Sequence, residues 1–158
     1  MHLLWFICLM PVTVLNVLAL EEMDFAPCPG GTLHGASNSC IIVVHEYRNW
    51  SDARAYCQDL YTGGDLIKIT SVQMNWAIAD ILPNDRSWIK FWIGLKLYGV
   101  NQRWLDETTN TAYTHAFWFD NDYNNGKHCF VTPIGNSYWR RYRCSSEKKF
   151  ICQYPYDP

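Results

Sequence analysis

Near its C-terminal end the chain carries "YWRRYRC", residues 138–144, which sets Arg140, Arg141 and Arg143 between an aromatic pair and Cys144. A guanidinium offers paired N–H donors that fit a carboxylate, sulfate or phosphate, so the natural chemistry of the run is anion recognition. Arg140 and Arg141 are sequence neighbours. On a strand they alternate, one toward the interior or a neighbouring loop and one toward solvent. An internal role competes with the binding role for the inward arginine, an ion pair with Asp120 or Asp122. Trp118 and Trp139 could stack on a ligand, but large aromatics at such positions usually pack in the core.

Oxygen donors lie just upstream in "DNDYNNG", residues 120–126. As a calcium loop of the helix–loop–helix type it fails: the glycine comes one place late, and Val131 stands where a bidentate Glu belongs. His115 and His128 flank these acids at a spacing that matches no usual zinc pattern. The chain has no G-x-S-x-G, no HExxH and no glycine-rich phosphate loop. These residues point to binding, not catalysis.

Charge narrows the partners. The net charge of −2 over 158 residues gives no overall basic field for nucleic acid or an anionic membrane. Its distribution is uneven, because Lys127 to Lys149 holds six cations against Glu147 alone, a local +5 that leaves −7 elsewhere. The first twenty residues contain no Asp, Glu, Lys or Arg and end in Val17-Leu18-Ala19. That pattern predicts a signal peptide over 1–19, cut after Ala19, with no transmembrane segment in the mature chain. Pro11 and Asn16 interrupt the run and no Lys or Arg flanks it, which argues against an anchor. Cleavage would discard Cys8 and leave six cysteines, an even set that implies disulfides in a secreted, extracellular protein while leaving the pairing open.

Elements to position these residues follow from periodicity. After a short segment at 20–27, "CPGGTLHGASNSC" has the Gly, Ser and Asn content of a turn, and "CIIVVHEY" that of a strand. "NWSDARAYCQDLYTGG" opens on capping residues, repeats Trp50, Ala53, Cys57 and Leu60 at helical spacing and stops at Gly63-Gly64, so Cys57 should face the core. "DLIKI" is a strand, and "TSVQMNWAIADILP" a second helix with Val72, Trp76, Ile78, Ala79 and Leu82 as its apolar positions. Five short aromatic-rich strands follow: "FWIGLKLYG", "QRWLDE", "KHCFVT", "SYWRRYRC" and "KKFICQY". The irregular segment 108–127 interrupts them, and long ordered loops in compact domains often carry function. Two helices and then a run of antiparallel strands make an α+β domain.

From Cys28 to Cys152 the chain resembles a C-type lectin-like domain. The matching pieces, in order, are Cys28-Pro29, Cys40, "WSDARAYC", "GGDLIKI", "WIGL" at Trp92–Leu95, Trp104, Cys129, Cys144 and "FIC" at Phe150–Cys152. The resemblance implies the C-type lectin-like fold over 28–154, with 155–158 as a tail, and the disulfides Cys28–Cys40, Cys57–Cys152 and Cys129–Cys144. It also implies where calcium ligands would lie in sugar-binding members. Asp122-Tyr123-Asn124 falls on the loop triplet, Lys127 on a Glu, and Arg140 and Arg141 on the Asn and Asp that follow a Trp. A second family calcium position falls on Leu97, Asn101 and His128.

Calcium takes six to eight oxygens, several of them carboxylates. Here three of the five side chains at the first position are cations, which repel the ion at close range. The expectation is therefore a calcium-independent recognition protein with no cofactor and no metal. Asp122, Asn124, Lys127, Arg140 and Arg141 are its candidate ligand-binding residues, and a glycan, with an anionic one favoured by the +5 segment, or an extracellular protein is its partner. The alternatives are a calcium-dependent carbohydrate-binding lectin and a structural matrix or multimer subunit. The sequon Asn49-Trp50-Ser51 adds an N-glycosylation site, although bulky Trp50 and the adjacent helix start weaken it.

Overall fold

The computed structural model describes residues 28–82, 89–98, 101–104, 126–133 and 139–156. The expected leader and the short segment after it lie outside these residues, as do Asp120, Asp122 and Asn124.

The first helix begins where Asn49 can cap it. The Asn49 side chain accepts from the Asp52 N–H at 2.9 Å, and helix α1, Trp50–Leu60, runs from there with Trp50, Ala53 and Cys57 buried. Two glycines end it for different reasons. Gly63 has φ +74°, a backbone region open to glycine, and a Cβ on Gly64 would collide with the carbonyl oxygen of Cys57. The helix can therefore turn tightly into strand β3, Asp65–Leu66, where Arg54 pairs with Asp65 at 3.1 Å.

"DLIKI" yields only these two residues of strand because its later backbone groups find other partners. Ile67 donates to Ile151 at 2.8 Å and accepts from Gly94 at 2.8 Å, while the Lys68 N–H goes to the Gln153 side chain at 2.9 Å.

Ahead of α1, the presumed turn between Cys28 and Cys40 contains a short strand. Strand β1, Thr32–His34, pairs with β2, Ser39–Arg48, across a turn closed by Asn38 at φ 47°. Asn is among the few residues that tolerate that region, so the reversal costs little. Helix α2, Val72–Ile81, starts with the Ser71 hydroxyl accepting from the Met74 N–H at 3.1 Å. It differs from expectation in one face: Asn75 is buried at 3% and Trp76 is 57% exposed. The buried stripe runs through Met74, Asn75 and Ile78, leaving Trp76 off it.

The remaining strands are β4, Lys90–Tyr98; β5, Asn101–Trp104; β6, Cys129–Pro133; β7, Arg140–Tyr142; and β8, Lys148–Pro155. The sheet runs β1-β2-β8-β4-β6-β7, with β3 also on β8 and β5 on β4. Its pairings are antiparallel except β4 with β8, which run parallel with Phe91 opposite Lys149 and Trp92 opposite Phe150. An all-antiparallel set was expected. Parallel neighbours need a long connection, and the chain from β5 through β7 supplies it.

Period two then sorts each strand between two cores. Phe91, Ile93, Leu95, Phe130, Trp139 and Ile151 pack with Met74 and Ile78 of α2. Trp92, Val131, Phe150 and Cys152 pack with Trp50, Ala53 and Cys57 of α1. The sheet is thus buried on both faces between the helices. Two tryptophans of the α1-side core have their N–H groups satisfied: Trp50 Nε1 donates to the Ile93 carbonyl at 3.0 Å and Trp92 Nε1 to the Arg48 carbonyl at 2.9 Å. Disulfides Cys28–Cys40, Cys57–Cys152 and Cys129–Cys144 are all present.

Candidate functional site

Strand β7 presents the arginines. It lies at the sheet edge, with Val131 opposite Arg140, Phe130 opposite Arg141 and Cys129 opposite Tyr142. Trp139, immediately before it, is fully buried, and its Nε1 donates to Asn75 Oδ1 at 3.1 Å. That bond explains the buried Asn75: the indole N–H needs an acceptor, and α2 turns one inward. Trp139 is thus a core residue.

The two arginines separate as strand alternation requires. Arg141 lies on the Trp139 side and is only 9% exposed, whereas Arg140 is exposed beside Tyr142 on the opposite side. The half-buried Lys127 lies two residues ahead of β6. Of the five candidate binding residues, the structure describes these three cations; Asp122 and Asn124 fall outside the described residues. In "DNDYNNG" only Gly126 is described, at φ 67°, and His115 and Trp118 also lie outside.

Of the second family calcium position, Leu97 and His128 have described side chains, and neither carries an oxygen donor. Leu97 packs against the α2-side core, and its N–H donates to the His128 carbonyl at 2.7 Å. Among the described residues, no three His, Cys, Asp or Glu side chains converge as a metal cluster. None of the side chains of Lys127, Arg140, Arg141 and Leu97 offers an oxygen donor to a metal ion.

Asn49 has a structural use beside its sequon. Its amide donates to Asp52 Oδ2 at 2.7 Å while its oxygen caps α1. Asn49→Ala should therefore cost about 0.5–2 kcal/mol through the lost cap, with or without a glycan. Ser51→Ala removes the sequon at an exposed position and spares the cap. Enzymatic deglycosylation followed by mass spectrometry, with thermal melting of both variants, separates the two roles.

Sequence reasoning missed one group. Tyr47, Lys90 and Tyr142, far apart in the chain, line a single cleft with Lys148. The only advance signal was the excess of cations in the segment that holds Lys148.

Comparison with known proteins agrees with this fold. The model of the Lectin C-type domain family matches residues 46–154. Snaclec agglucetin subunit alpha-1 of Deinagkistrodon acutus is 28% identical over 119 residues, covering 74% of this chain and 76% of that protein. The crystal structure of human lithostathine superposes with a TM-score of 0.70 at 20% identity, covering 87% of this chain and 98% of that one. A calcium-independent type II antifreeze protein superposes with a TM-score of 0.64 at 25% identity, covering 80% and 92%.

Proposed function

The chain belongs to the Lectin C-type domain family, and from that premise we propose a secreted recognition protein that binds a glycan or an extracellular protein without calcium. Its binding face is the exposed Arg140 with the segment that leads into β6 through Lys127, Asp122 and Asn124. The observation that carries this is the division of the arginines: Arg141 is buried beside Trp139 while Arg140 stays at the surface. A guanidinium standing where the family pattern puts a calcium ligand opposes a dication by kilocalories at a few ångströms, even with screening. Arg141 is then a structural substitute, and Arg140 is left to meet a ligand.

Similarity to a calcium-independent type II antifreeze protein supports the same view of the fold. The apolar composition of residues 1–20 and the three disulfides support secretion. Among the described residues no helix is long and apolar enough to cross a membrane. The local +5 favours acidic partners, sulfated or sialylated glycans above all.

A glycan array with and without EDTA, repeated at rising salt, tests this. Binding should survive chelation and weaken as salt screens the cations. Thermal melting should be the same in millimolar calcium and in EDTA. A ligand at about 100 times its dissociation constant adds roughly 2.7 kcal/mol, a shift of several degrees. Such a shift with calcium, or loss of binding in EDTA, would make this a calcium-dependent lectin after all.

A further inference from the structure

A cleft of about 170 Å³ opens where β4 and β8 begin side by side, lined by Tyr47, Ile89, Lys90, Tyr142, Glu147 and Lys148. The Lys148 and Lys90 ammoniums stand 5.0 Å and 5.4 Å from the centroid of the Tyr142 ring. Tyr142 in turn packs edge-on against Trp92 at 6.5 Å, which fixes the ring from behind. Beside it Lys149 lies 5.8 Å from the centroid of Tyr47, which is 58% exposed.

Three lysines converge here, and among the described residues none has a carboxylate partner. The ion pairs nearby, Arg48–Glu46 and Arg54–Asp65, use other cations. Lys148 donates to the backbone carbonyl of Glu147 at 3.2 Å, and Lys149 lies 3.3 Å from His45 Nδ1. Aromatic rings hold the ammoniums without neutralising them. The cleft therefore combines unneutralised positive charge with an exposed, flat apolar face, and Glu147 at its edge can accept from a hydroxyl.

We infer that this cleft is a binding site for one sulfated sugar residue. The sulfate lies between Lys90 and Lys148, the apolar face of the ring stacks on Tyr47, and Glu147 receives a sugar hydroxyl. Each part of the cleft selects something. Ammoniums take the sulfate, the tyrosine takes the C–H face that a bare anion lacks, and the carboxylate disfavours a ligand that is anionic all over. The volume is below the roughly 300–1,000 Å³ of sites that enclose a whole small molecule, so a single ring enters and the rest of the glycan stays outside. Lys90, Lys148 and Tyr47 are not part of the calcium-ligand positions, and the site stands whether or not Arg140 contacts a ligand.

The test is a calorimetric titration of the full secreted protein at low salt with a sulfated heparin-derived disaccharide and its chemically desulfated form. Lys90→Gln combined with Lys148→Gln should weaken binding of the sulfated sugar by about ten-fold or more, and Tyr47→Ala by several-fold, with melting curves matching the parent. Lys90→Arg with Lys148→Arg should retain binding, and the desulfated sugar should bind far more weakly. Parent-like affinity in the Gln pair, equal binding of the desulfated sugar, or competition by inorganic sulfate as strong as by the disaccharide would each overturn the site. Arg140→Ala separates the two faces. If it alone weakens the disaccharide, the sugar lies on the face proposed above and the cleft is refuted. If the cleft variants weaken it and Arg140→Ala does not, the cleft stands by itself.

Discussion

Replacing Cys57 and Cys152 together by alanine should destabilise the domain by about 4–5 kcal/mol, the largest effect expected of any single cross-link. The bond joins α1 to β8 across a sequence separation of 95 residues. On chain-entropy grounds, closing about 100 residues in the unfolded chain contributes roughly 4.7 kcal/mol, against about 3 kcal/mol for a loop near 15. Cys28–Cys40 and Cys129–Cys144 span only 12 and 15 residues, so their removal should cost distinctly less. Both long-range cysteines are buried in the α1-side core, and two alanines in their place also lose packing. A domain of this size commonly has about 5–15 kcal/mol in total, so the variant should sit near its folding limit at 37 °C. Urea unfolding of the three paired-alanine variants checks the order. Equal losses for long and short loops would show that native packing, not chain entropy, sets the value of the bond.

Trp139→Ala should cost about 3–5 kcal/mol, the usual scale for emptying a fully buried aromatic position. The indole is 0% exposed within the α2-side core. Its removal also strands the buried Asn75, whose Oδ1 accepts the indole N–H. Trp139→Phe isolates that second part, and should cost about 1–3 kcal/mol because the ring is largely replaced while the amide loses its donor. Adding Asn75→Leu to Trp139→Phe should recover part of the loss, since an apolar pair leaves no unsatisfied amide. Chemical denaturation of Trp139→Phe, Asn75→Leu and the double variant measures this cycle, with Trp139→Ala giving the full truncation. A binding defect in Trp139→Phe at unchanged stability would instead make the tryptophan a ligand platform.

Much of the fold could be read along the chain because its signals are local. Asn49 before a Trp50-Ala53-Cys57 repeat, and Gly63-Gly64 after it, define α1, since a cap, a 3.6-residue stripe and a glycine stop each depend on a few consecutive residues. Alternation likewise marked the strands, and it required Arg140 and Arg141 to part company. Spacing could not say which cysteines join. The pairing came from family resemblance, and the three bonds found in the structure match it. The candidate calcium-ligand positions were likewise counted from a family pattern, and two of them, Asp122 and Asn124, lie outside the described residues.

Where sequence reasoning missed, the deciding partner was distant. The apolar count of α2 assigned Trp76 inward, yet the helix turns Asn75 to the core because Trp139, 64 residues later, needs an acceptor there. "DLIKI" ends as a strand at Leu66 because Ile151, Gly94 and Gln153 take its next backbone groups. Strand alternation alone could not choose which arginine goes inward. The choice follows from the register that sets Arg141 opposite Phe130, on the same side as buried Trp139. The lysine and tyrosine cleft left one trace in the sequence, the excess of cations in the segment that holds Lys148. Lys90 and Lys148 meet because β4 and β8 run parallel in a register that aligns Phe91 with Lys149, and β7 brings the Tyr142 ring beside both. Periodicity reports which face of its own element a residue occupies; which charges then share a ring depends on strand register, and that is fixed by packing both faces of the sheet at once.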